Sequence, residues 1–83
     1  MILLVKNIEH KVNPLDLEQL FFSFGEVVET NLVYDNITWE PKGFAFIEMK
    51  NSNEAKQAID KLNGVKLNGK PLVVQKAYTF EHH

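Results

Sequence analysis

Lys42-Gly43-Phe44-Ala45-Phe46-Ile47-Glu48-Met49 alternates large aromatic with small or aliphatic side chains. Successive side chains of a strand point to opposite faces, so Phe44, Phe46 and Glu48 share one face while Ala45, Ile47 and Met49 share the other. Both faces of the stretch Phe44 to Met49 are apolar at the middle, which suits a strand in the interior of a sheet. The question posed by the rest of the chain is which of the two faces is covered.

Working outward, Ile2-Leu3-Leu4-Val5 is a short aliphatic strand closed by Lys6-Asn7. Asn13 offers a helix cap, Pro14 suits the first helical position and Asp16 adds negative charge to the first turn. Leu17, Leu20, Phe21 and Phe24 then form one stripe at helical spacing, with Gly25 as the expected stop. Val27 to Tyr34 is rich in β-preferring residues, with Thr30 and Leu32 on one face. Asp35 to Pro41 reads as a loop. Asn51 caps a second helix with Glu54 three residues on and Ala55, Ala58, Ile59 and Leu62 as its stripe, ended by Asn63-Gly64. Val65 to Leu67, the turn signal Asn68-Gly69 and a last strand from Leu72 to Lys76 complete the order.

Eighty-three residues suit one domain. The expected unit is 1–78, followed by a tail, 79–83, in which His82-His83 resembles part of an expression tag. Without cysteine there is no disulfide, thiol nucleophile or Cys-ligated zinc site to consider. The net charge is −2, which excludes a globally basic clamp. Every basic residue is lysine, so phosphate contacts are limited to lysine point charges, backbone amides and hydroxyls. The opening apolar run is far shorter than a membrane span, and the expectation is a soluble protein, cytoplasmic or, in a eukaryote, nuclear.

Strand, helix, strand, strand, helix, strand is the plan of an α+β, ferredoxin-like βαββαβ sandwich, a four-stranded antiparallel sheet with two helices on one face. Leu3, Val5, Thr30, Leu32, Ala45, Ile47, Met49, Leu72 and Val74 would face the helices. Leu4, Lys6, Phe44 and Phe46 would face away from them. Burying both phenylalanines instead would need a one-residue shift that turns Ala45 and Ile47 outward. An aromatic pair on an open sheet is a stacking platform for single-stranded nucleic acid, at about 1–3 kcal/mol per base.

Residues 42–49 resemble the octapeptide signature of the RNA recognition motif, departing only in Met49 where the family carries an aromatic. Leu3-Leu4-Val5-Lys6-Asn7-Ile8 is similar to the companion hexapeptide, with Leu4 where a stacking aromatic usually stands. Further matches in both helices and the last strand extend the resemblance over residues 2–78, and the length resembles single-domain bacterial members. The resemblance implies that Phe44 and Phe46 contact bases or sugars, that Leu4 packs on a base without stacking and that Lys42 meets a phosphate, with Lys6 beside it. Asn31 and Val33 on the second strand, with Val73, Gln75 and Lys76 on the last, become candidates for base-edge and backbone contacts. Glu29, Glu40 and Glu48 oppose phosphate, so micromolar or weaker binding of single-stranded RNA is expected, with single-stranded DNA as an alternative ligand.

Other features have plainer readings. Trp39 is expected to pack on Pro41 or the sheet edge, although a loop platform is the competing role. Tyr78 and Phe80 either extend the stacking surface or mask it. His10 has no ligand partners and reads as surface. Nothing resembles a phosphate loop or a catalytic triad, so neither an enzyme nor a cofactor is expected. The competing function is a protein-interaction module that docks an apolar peptide or helix on the sheet face. A monomer is expected.

Overall fold

The computed structural model describes residues 1–78. Strand β1 spans Ile2–Lys6, helix α1 Pro14–Phe22, β2 Val27–Tyr34, β3 Pro41–Met49, α2 Ser52–Leu62, β4 Lys66–Leu67, β5 Lys70–Pro71 and β6 Val73–Lys76. The main sheet has the order β2-β3-β1-β6, all neighbours antiparallel. The ferredoxin-like plan is therefore the fold, with β1 and β3 central. β4 and β5 form a separate two-stranded ribbon around Asn68-Gly69.

Local chemistry sets the helix starts. The Asn13 side chain accepts from the Asp16 amide at 2.8 Å, and the Asn13 amide donates back to the Asp16 carboxylate at 3.1 Å, a reciprocal cap for α1. Asn51 accepts from the Glu54 amide at 3.0 Å at the start of α2. Both helices lie over one sheet face, burying Leu17, Phe21, Ala55, Ala58 and Leu62 against Leu3, Val5, Leu32, Ala45, Ile47, Met49 and Val74. Full burial of a side chain such as Phe21, Leu3 or Leu17 is worth about 1.5–3 kcal/mol. Ile8 and Val12 join this core although they lie outside any regular element.

Boundaries differ from the sequence expectation at α1 and β3. Helix α1 ends at Phe22, three residues before Gly25, with Ser23 as its C-cap. Gly25 is instead a point of close approach, since a Cβ there would collide with the Glu54 side chain. Strand β3 begins at Pro41 rather than Phe44, so β2 and β3 form a long hairpin. Its register slips twice, near Val28 and between Leu32 and Tyr34. At the second slip Lys42, Gly43 and Phe44 face the single residue Val33, and Gly43 takes up the extra length at φ +90°.

Candidate nucleic-acid interface

Register builds the open face row by row. Leu4 lies opposite Phe46 on one side and Gln75 on the other, and Phe46 lies opposite Asn31. Asn31, Phe46, Leu4 and Gln75 therefore cross all four strands as one row. Ile2 lies opposite Glu48, which lies opposite Glu29, giving a row on one side of it. Lys6 lies opposite Val73 on the other side, with Phe44 at the bulge of β3. The two phenyl rings meet edge to face, with centroids 6.1 Å apart and planes at 89°, an arrangement worth about 0.5–1.5 kcal/mol beyond area burial. Each ring shields the other: Phe46 keeps 37% of its surface and Phe44 is half-buried.

Not every candidate falls into these rows. Val33 is half-buried opposite the bulge. Lys42 is exposed beyond Gly43, where strand alternation is interrupted, and its charge acts on Asp35 of the β2–β3 loop. Lys76 lies opposite the buried Leu3, so its backbone position belongs to the helix-side parity. Its ammonium nevertheless lies 5.8 Å from the centroid of the Tyr78 ring, a cation–π contact of about 0.5–1 kcal/mol at an exposed site.

A concavity of about 290 Å³ opens on this face, lined by Ile2, Glu29, Asn31, Phe46, Glu48, Ala77 and Tyr78. In the sequence, Glu29 stands out only as a charge opposing phosphate, Glu48 as such a charge on the Phe44–Phe46 face, and Ile2 only as the start of the first strand. The signal for Ile2 is its parity, which it shares with Leu4. Tyr78 is 81% exposed and stands at the rim. It therefore extends the open face, while Phe80 and the His82-His83 pair lie outside the described residues.

The loop between β2 and β3 corrects a second expectation. Trp39 is 75% exposed, with φ +63°, and does not pack on the sheet edge. An Asx turn holds it there. The Asp35 carboxylate accepts from the Ile37 amide at 2.8 Å and the Thr38 amide at 3.0 Å, and the Trp39 amide donates to the Asp35 carbonyl at 2.9 Å. The Thr38 and Ile37 amides, in that order, hold the Asp35 carboxyl below its ordinary range, with Lys42 adding to the effect. His10 is exposed and sits 3.1 Å from Glu9. No group of three metal-ligating side chains occurs among the described residues.

The family model of the RNA recognition motif matches residues 3–73. The chain belongs to the RNA recognition motif family. A chloroplastic 29 kDa ribonucleoprotein of Arabidopsis thaliana is 39% identical over 75 residues, covering 90% of this chain and 22% of that protein. The crystal structure of RNA binding protein PG1 superposes with a TM-score of 0.92 at 30% identity, over 99% of both chains. A Sex-lethal protein–RNA complex matches at 33% identity and a TM-score of 0.86, over 92% of this chain and 47% of the other. The chain spans 22% to 37% of the length of the first curated relatives it matches. The likeness to bacterial members is not borne out by these plant relatives, because length measures the folding unit rather than the chain around it. Among the described residues no helix is long and apolar enough to cross a membrane.

Proposed function

We propose that residues 1–78 form a single-stranded RNA-binding module, acting by binding rather than catalysis and as a monomer. The supporting observation is the row Asn31, Phe46, Leu4, Gln75 on a sheet face that the helices leave uncovered. Phe46 offers its ring to one base and Phe44 braces it while contacting a second base or its sugar. Leu4 adds apolar contact without a stacking plane. Lys6 and Lys42, and Lys76 at the sheet edge, supply point charges for phosphates, and Asn31 and Gln75 supply amide groups for base edges. Two stacking contacts at about 1–3 kcal/mol each and a few lysine contacts correspond to micromolar or weaker affinity. Single-stranded DNA is the second ligand class that the same stacking chemistry admits.

Fluorescence anisotropy with a pool of short unstructured RNAs tests this reading. Phe46→Ala is expected to weaken binding by about one stacking contact, roughly tenfold, with the fold retained because the ring is partly exposed. Binding that is unchanged in Phe46→Ala, or that does not respond to salt, contradicts it and favours an apolar peptide as the occupant of the face.

A further inference from the structure

We propose that the concavity beside Phe46 is a base-specific pocket that selects guanine, read by Glu48 and Glu29 with Asn31. This inference rests on the RNA-binding reading above. Its starting point is a pairing that the fold alone does not favour: Glu29 and Glu48 lie directly opposite each other on neighbouring strands. Like charges so placed destabilise a sheet. No lysine lies among the residues lining the concavity. The slip near Val28 brings Glu29 into this register and onto the open face.

The same two carboxylates line the concavity together with the Phe46 ring, the Asn31 amide and, at the rim, Tyr78. Its volume of about 290 Å³ lies just below the usual range for ligand pockets, about 300–1,000 Å³, and suits a single base. A base stacked on Phe46 with its Watson–Crick edge toward Glu48 meets acceptors only, since a carboxylate has lone pairs and no proton to give. Guanine presents two adjacent donors on that edge, N1–H and the N2 amino group, which match the two oxygens of one carboxylate. Its O6 then falls beside a group that can donate, and the Asn31 amide, directly opposite Phe46, is such a donor. Adenine and cytosine each place a ring-nitrogen acceptor against the carboxylate, and uracil flanks its single donor with two carbonyl oxygens. The acidic row also lies across the Asn31–Phe46–Leu4–Gln75 row from Lys6. A strand can therefore keep its phosphates near the lysine while one base edge reaches the acids.

The test uses uridine hexamers carrying one central guanosine, inosine, adenosine or cytidine, titrated into the protein and into Glu48→Gln and Glu29→Gln, with melting curves for each variant. Inosine keeps the N1–H of guanine and lacks the N2 amino group. The wild type is expected to bind the guanosine hexamer about tenfold more tightly than the other three, the effect of one hydrogen bond to a charged acceptor. Glu48→Gln is expected to abolish that preference while binding the other hexamers at least as tightly as the wild type. Its melting midpoint should be no lower, because a repulsive pair has been relieved. Equal binding of guanosine and inosine hexamers by the wild type, with RNA binding intact, overturns the pocket and leaves the RNA reading standing. Failure to bind any hexamer overturns the RNA reading and this inference with it.

Discussion

At the scale of single residues, the balance of the open face turns on Phe46, Phe44 and Leu4. Leu4 is half-buried between Phe46 and Gln75, in the position where a planar ring would extend the platform. Leu4→Phe is therefore expected to tighten RNA binding by about one further stacking contact, roughly five- to tenfold, measured by anisotropy. Gly43 carries a different constraint. The nearest atom to an added Cβ is the Ile8 carbonyl oxygen at 3.7 Å, so space is not limiting, but φ +90° disfavours any L side chain. Gly43→Ala should cost about 1–3 kcal/mol by denaturant unfolding, as backbone strain rather than collision. The alternation in 44–49 makes the two faces of β3 legible in the sequence, because side-chain parity along a strand needs no knowledge of its neighbours. The bulge is not legible there, because a glycine preceding a strand has the same appearance whether it bends the chain or merely leads into it. Ile8 and Val12 escape notice as core for a related reason: buried residues in a non-periodic segment leave no repeat to detect.

At the scale of elements, both helices are readable from Asn13-Pro14 and Asn51, since a cap is a local bond between residues three apart. Gly25 misplaces the stop of α1, because its small size serves the contact with Glu54 across the sequence rather than a left-handed turn. Such a role depends on a partner 29 positions away and has no local signature. The β2–β3 segment reads as a loop up to Glu40, with Pro41 already in β3, and its order comes from the Asp35 carboxylate gathering the Ile37 and Thr38 amides. Because those bonds lower the folded carboxyl pKa, their contribution is complete above the ordinary aspartate value of 3.8 and is lost as pH falls through the lower folded value. A side-chain carboxyl titration by NMR should give Asp35 a midpoint below 3.8, and Trp39, the only tryptophan, should change its fluorescence over the same acid range. A midpoint at or above 3.8 contradicts the turn.

At the scale of the whole molecule, the sheet is two-sided. One face is closed by helices, and the other carries an acidic row, an aromatic row and a lysine-bearing row in sequence. That arrangement reconciles a net charge of −2 with nucleic-acid binding, because local placement rather than total charge decides what a phosphate meets. With about three lysine contacts, affinity for a single strand should scale with salt at a log–log slope of about −2, roughly fifteenfold weaker between 50 and 200 mM. Amide chemical-shift mapping during titration with a short unstructured RNA reads directly which face of the sheet binds. Shifts concentrated at Leu4, Lys6, Asn31, Phe44, Phe46 and Gln75, and largely lost in Phe46→Ala, are expected. Shifts confined to α1 and α2, or a Phe46→Ala titration identical to the wild type, would contradict binding on the open face.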